Sequence, residues 1–138
     1  MLERPYTELQ VWQRCRALVG QIYDLTRGFP REEMLGLTNQ MRRAAVSIPS
    51  NIAEGCGRQH QRDTIQFLFV ARGSLFELET QCYLAADQQY LSAEQLQAVL
   101  ANLNDCRKLL QGFIRYYRNL SPSSGTTLPD NGQLKTDN

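Results

Sequence analysis

Apolar residues recur at helical spacing through most of the chain, and four such runs can be separated by turn signals. Thr7 followed by Gln10 is a capping-box pattern, with Pro5 upstream discouraging earlier helix. It predicts a first helix with Leu9, Trp12, Cys15, Val19, Ile22 and Tyr23 on one side, ending at Gly28. Beyond Phe29-Pro30, Glu32 and Glu33 suit the positive end of a second helix running from about Glu32 to about Cys56. Its apolar positions are Leu37, Met41, Ala44, Ile48 and Ile52. Pro49 interrupts that run, because it lacks a backbone donor and its ring meets the carbonyl four residues back. A kink there is expected, with Ser47, Ser50 and Asn51 in reach of loosened backbone groups. Gly55 and Gly57 offer two left-handed helix stops.

The polar stretch Arg58 to Thr64 is either a turn or the first turn of a third helix. From there Ile65, Leu68, Ala71, Leu75, Leu78, Cys82 and Ala85 form the seam of a bundle helix. Beside it runs a second stripe, Phe69, Arg72, Phe76, Glu79 and Tyr83, which either thickens the core or faces a neighbouring subunit. Ser92 with Gln95 caps a fourth helix carrying Leu96, Val99, Leu103, Cys106, Leu110, Phe113 and Tyr117. No strand pattern occurs. The expected fold is all-α: an antiparallel up-down four-helix bundle over residues 1–120, its second helix kinked at Pro49. The Ser-, Gly-, Pro- and Asn-rich residues 121–138 read as a disordered tail.

Composition adds less than the pattern. A length of 138 residues fits one domain able to bury a core, and the net charge of +1 gives no polyelectrolyte character. Only Lys108 and Lys135 are lysine, so 13 of the 15 basic residues are arginine. That bias follows either from a GC-rich genome or from a need for planar, bidentate donors. Cys15, Cys56, Cys82 and Cys106 are too widely spaced for a zinc site or disulfide framework and read as buried free thiols. The N-terminus has no signal-like apolar core and no run is long enough to span a bilayer, which points to a cytoplasmic protein without membrane contact.

Catalytic constellations fail one by one. The chain has a single histidine, His60, in a polar turn that exposes it to solvent; no Glu-x-x-His pair exists, so a di-iron bundle is excluded. Nucleophilic triads lack a second base, and phosphate loops of both glycine-rich types are missing. The chain therefore reads as no enzyme, with no metal and no cofactor. Convergence of Glu54, Arg72 and Glu79 in the interior would be the one support for a small-molecule or metal site. Surface remains. Arg14, Arg16, Arg42, Arg43, Arg58, Arg62, Arg115 and Arg118 are candidate contacts to RNA or DNA phosphates, a stripe that oligomerisation would multiply. The alternative for each is an ordinary solvated arginine paired to a nearby acid.

Several stretches together carry a family likeness: Glu8 to Cys15 (ELQVWQRC), Phe29 to Glu33 (FPREE), Leu37 to Arg58 and Phe67 to Gln81. Most specific is SIPSNIAEG, Ser47 to Gly55, supported by GSLFELET at Gly73 to Thr80. In these the chain resembles the bacterial four-helix-bundle proteins encoded in intervening sequences of 23S ribosomal RNA genes, over about residues 8–118. The same fold includes the accessory variability determinant of diversity-generating retroelements, a homopentamer that binds nucleic acid and associates with a reverse transcriptase. The resemblance implies a pentameric bundle acting as a non-catalytic binding partner of RNA, DNA or a reverse transcriptase. In its near-neutral charge the chain departs from the strongly basic retroelement proteins. Within the signature, Ser47, Pro49, Asn51, Glu54 and Gly55 are expected to shape the kink and a subunit contact, joined in that contact by Phe69, Arg72, Phe76, Glu79 and Tyr83.

Overall fold

The computed structural model describes residues 5–120, so the expected disordered tail lies outside the described residues. Four α-helices follow one another: α1 (Gln10–Thr26), α2 (Leu37–Cys56), α3 (Gln61–Asp87) and α4 (Ala93–Arg118). Each packs against its sequence neighbour, and α1 also meets α4, so α1 and α3 stand diagonally across an antiparallel bundle. No strand occurs among the described residues.

The start of α1 differs from expectation. Thr7 sits inside a short 3₁₀ turn, Tyr6–Glu8, and α1 begins only after Leu9, with no side-chain cap. The Thr7 carbonyl instead accepts from the Gln13 amide at 3.1 Å, which stitches the 3₁₀ turn to the helix. The expected side of α1 is buried in part: Leu9, Cys15 and Ile22 are buried together with Val11 and Leu18, whereas Trp12, Val19 and Tyr23 are only half-buried along the α1–α2 seam.

The second helix also begins later than the pattern suggests. Arg31–Glu33 form a separate 3₁₀ turn, and α2 starts at Leu37. Glu33 nonetheless acts on the helix end as its charge predicts. One of its carboxylate oxygens accepts from the Leu37 backbone N–H at 3.0 Å, and the other accepts from the Tyr90 hydroxyl at 2.8 Å. Those two bonds hold the Glu33 carboxyl below its ordinary range and push the Tyr90 phenol up. Tyr90 also packs on Phe29, ring centres 5.2 Å apart, so the α1–α2 and α3–α4 connections are clasped at one end of the bundle.

α2 continues through Pro49 to Cys56. The Asn51 amide donates to the Ser47 carbonyl at 2.8 Å and the Ser47 hydroxyl at 2.9 Å, one turn back around the proline. Neither glycine is a left-handed stop: Gly55 lies inside the helix and Gly57 caps it at φ −86°. Gly55 matters through space. A Cβ there would stand 3.1 Å from the Phe67 Cβ and 3.2 Å from the Thr64 carbonyl, so only glycine lets α2 and α3 meet so closely.

His60 is the N-cap of α3, which makes the polar stretch its lead-in and first turn. The predicted seam of α3 is buried from Leu68 to Ala85, with Ile65 partly covered. α4 has the predicted capping box complete, Gln95 N–H to Ser92 Oγ at 3.0 Å and Ser92 N–H to Gln95 Oε1 at 2.9 Å. Its Phe113 and Tyr117 are among the largest fully buried side chains; burying Phe113 contributes roughly 2–3 kcal/mol, whereas the Tyr117 hydroxyl is buried without a hydrogen-bond partner.

All four cysteines are buried free thiols, Cys56 included. Burial pushes Cys56 up to about 12, and burial with the nearby Glu79 charge does the same for Cys82. A hydrogen bond from Cys15 to Cys106 joins α1 to α4 and, with burial, holds Cys15 well above the ordinary thiol range.

Candidate nucleic-acid interface

The end of the bundle opposite the Glu33–Tyr90 clasp gathers the end of α2, the start of α3 and the end of α4. Two hydrogen bonds and a short connection fix it. Thr64 Oγ1 donates to the Gly55 carbonyl at 2.8 Å; the Gln61 amide donates to the Tyr117 carbonyl; and the α2–α3 connection is only four residues long, Gly57 to His60. Four of the predicted arginines lie at this end, Arg58 and Arg118 on different flanks of α3. Arg58 leaves the end of α2, Arg62 stands in the first turn of α3, and Arg115 and Arg118 lie in the last turn of α4. All four are exposed. Arg115 and Arg118 sit where the negative end of the α4 dipole favours a cation.

Aromatic rings orient two of the four. The Arg58 guanidinium lies 4.6 Å from the centre of the Phe67 ring. Phe69 carries two cations, Arg72 at 4.7 Å and Arg118 at 5.1 Å. Stacking of this kind orients a guanidinium while leaving its in-plane N–H donors available, the fork that matches a phosphate. No ion pair joins any of the four to an acid among the described residues. Asp63 is the acidic residue in the first turn of α3.

The other four predicted arginines are placed apart. Arg14 pairs with Asp105 of α4 at 2.7 Å. Arg42 is half-buried: its Nε donates to Thr26 Oγ1 at 2.9 Å and its guanidinium lies 4.6 Å from the Tyr23 ring, which ties α2 to α1. Arg16 stacks on Trp12 at 5.4 Å, and Arg43 is exposed on α2. The eight candidates thus do not form one continuous stripe.

The signature residues point several ways. Ser47 accepts from Ser74 of α3 at 2.9 Å, so the Ser47–Asn51 pair belongs to the α2–α3 contact together with Gly55. Pro49 lines the α1–α2 seam, and Glu54 is exposed. In the second stripe Phe69 packs against the core, Arg72 and Glu79 are half-covered, and Phe76 and Tyr83 remain about half-exposed. Glu54 does not converge with Glu79. The latter lies 15 residues along α3 from Thr64, the neighbour of Gly55, or roughly 22 Å. Among the described residues no group of His, Cys, Asp and Glu is placed to hold a metal, and no helix is long and apolar enough to cross a membrane.

Sequence reasoning overlooked Phe67, Thr64 and Ser74, which set the arginine end and the α2–α3 contact. Phe67 carries a usable signal, an aromatic at a position off the core seam beside a run of arginines. Thr64 and Ser74 carry none, because a threonine or serine facing another helix has the same spacing as a core residue.

Comparison with known proteins bears on this geometry. The model of a family described as 23S rRNA-intervening sequence protein matches residues 7–112. Among solved structures, the chain is similar to a protein of unknown function from the S23 ribosomal protein family of Bacteroides thetaiotaomicron. The two share 24% identity with a TM-score of 0.71, over 76% of this chain and 98% of that one. At that identity the likeness speaks for the fold. Comparison with curated proteins brings no match.

Proposed function

Because the chain belongs to the family of 23S rRNA-intervening sequence proteins, we propose that it is a non-catalytic, homo-oligomeric accessory protein that binds RNA or DNA phosphates. The observation that carries this reading is the presence of four exposed arginines, Arg58, Arg62, Arg115 and Arg118, at one end of the bundle, with Arg58 and Arg118 stacked on Phe67 and Phe69. Four phosphate contacts predict a log–log salt slope of about −3.6, or roughly a hundredfold loss of affinity between 50 and 200 mM salt, for one chain end. A pentamer, as the retroelement accessory likeness suggests, repeats that end and steepens the slope.

The test is a binding titration with structured RNA and duplex DNA over a salt series. Changing each of the four arginines to glutamine lowers the slope by about 1 per engaged chain and weakens all sequences alike. Absence of binding at low salt, or binding indifferent to salt, overturns the reading.

A second reading is supported by the half-exposed Phe76 and Tyr83 and by Val70 and Leu84 on α3. Here the oligomer is a scaffold that docks a reverse transcriptase or another protein without touching nucleic acid. A pull-down with and without nuclease separates the two, since a docked protein survives nuclease and a nucleic-acid bridge does not.

A further inference from the structure

We propose that Cys15 of α1 and Cys106 of α4 are an oxidisable pair, closed by hydrogen peroxide into a disulfide that clamps the first helix to the last. Its closure does not depend on what the bundle binds. The two residues are 0% and 1% exposed, and the Cys15 thiol donates a hydrogen bond to Cys106 across the α1–α4 contact. Two further contacts hold the same helices in register. Arg14 and Asp105, each one residue before a cysteine, pair at 2.7 Å, and the Asn102 amide donates to Gln21 at 2.8 Å. The sulfurs therefore meet inside a seam that is pinned on its outer side. A disulfide needs them about 2.05 Å apart, a short step for thiols already in contact.

The other two cysteines are built differently. Cys56 and Cys82 lie on α2 and α3, and burial, helped at Cys82 by the Glu79 charge, raises each to about 12. Thiols of that kind stay protonated at neutral pH and are poor nucleophiles. At Cys106 the bond from Cys15 lowers the thiol from its ordinary value against the opposing effect of burial, with Arg14 lowering and Asp105 raising it in smaller measure. Peroxide reaches the pair when the seam opens locally at the part-exposed Arg14–Asp105 bridge.

The chemistry balances without any other reagent. The Cys106 sulfur attacks one peroxide oxygen and becomes a sulfenic acid, while the second oxygen leaves as water with the thiol proton. Cys15 then attacks that sulfur, the S–S bond forms, and the sulfenic oxygen leaves as a second water. Two thiols lose two electrons and one peroxide gains them.

The test treats the full native chain with hydrogen peroxide, blocks the remaining thiols after unfolding, and maps the peptides. Cleavage after glutamate puts the four cysteines in four separate peptides, so each pairing has its own mass. We expect free thiols to fall from four to two and one crosslink to join the Cys15 and Cys106 peptides within a single chain. Because the bond ties residues 91 apart in sequence, Tm should rise by roughly 10 °C. Reduction in urea should restore all four thiols. Cys15→Ala and Cys106→Ala should each abolish the gain in Tm, and Cys82→Ala should keep it. Should either alanine variant fail to fold, the peptide map of the parent decides alone. Four thiols surviving peroxide, a crosslink between another pair or between chains, one that forms only in urea, or one that leaves Tm unchanged overturns the proposal.

Discussion

Replacing Gly55 with alanine tests the closest approach in the bundle. On an ordinary helix the change stabilises by roughly 0.5–1 kcal/mol, because alanine loses less backbone freedom on folding. Here the new methyl meets the Phe67 Cβ at 3.1 Å and the Thr64 carbonyl at 3.2 Å. Both atoms are fixed to the α3 backbone, so no side-chain rotation relieves the contact and the two helices must separate by several tenths of an ångström. Overpacking of this kind costs about 1–3 kcal/mol. Separation also stretches the 2.8 Å bond from Thr64 Oγ1 to the Gly55 carbonyl, worth about 1 kcal/mol. The balance is a net loss of roughly 1–2 kcal/mol, or about 4–8 °C in Tm for a domain of this size. Urea unfolding followed by helix ellipticity, parent and variant at one protein concentration, measures it as a lower midpoint with unchanged slope. Combining Gly55→Ala with Thr64→Val checks the route: if the strain acts through Thr64, the two losses do not add. A variant as stable as the parent would refute the close-approach argument and with it the packing role of Gly55.

Three further outcomes are expected. Gln89 holds the left-handed turn between α3 and α4 at φ 66°, with Tyr90 N–H bonded to the Ala85 carbonyl; Gln89→Gly should raise stability by roughly 0.5–1 kcal/mol in the same urea assay. The depressed Glu33 carboxyl contributes stability that is full above its ordinary value of 4.5 and lost as pH falls through its lower folded value, so Glu33→Gln should flatten the acid limb of a Tm-against-pH curve and Tyr90→Phe should flatten it in part. With Cys56 and Cys82 pushed to about 12, native protein at pH 8 should leave those thiols unlabelled by a disulfide reagent that modifies all four after unfolding; prompt labelling of the native state would contradict their burial.

The elements themselves were readable because three of the helices carry a strong period and one carries its own caps. The α4 capping box survives intact since Ser92 and Gln95 depend only on local geometry. The similar pattern at Thr7 and Gln10 fails because the same residues also permit a 3₁₀ turn, and Leu9, fully buried, is drawn into the core at the boundary. The exact buried face of α1 could not be read from spacing alone, as Trp12, Val19 and Tyr23 repeat as well as Val11 and Leu18 do beside the shared Leu9, Cys15 and Ile22. Tertiary contact with α2 and α4 decides between them. Glycine was misjudged for a related reason. Gly55 was expected to serve a left-handed φ, but its lack of a side chain serves a neighbour nine residues away in sequence, a distance over which spacing carries no signal. The arginine pairs had the same difficulty: whether an arginine meets an acid, a ring or solvent depends on the facing helix.

That last point changes what the net charge of +1 implies. A total is informative only over distances that salt does not screen, about 8–10 Å at physiological ionic strength. Arg62 and Asp87 lie near opposite ends of α3, 25 residues apart, which is roughly 37 Å along the helix. Glu32, Glu33 and Glu94 belong to the Asp87 end, beyond several screening lengths from the arginine cluster. A phosphate arriving at the start of α3 therefore meets Arg58, Arg62, Arg115 and Arg118 with Asp63 and Glu54 in opposition, and is scarcely affected by the distant acids. Near-neutrality then argues against non-specific attraction to the whole molecule and not against binding at one end.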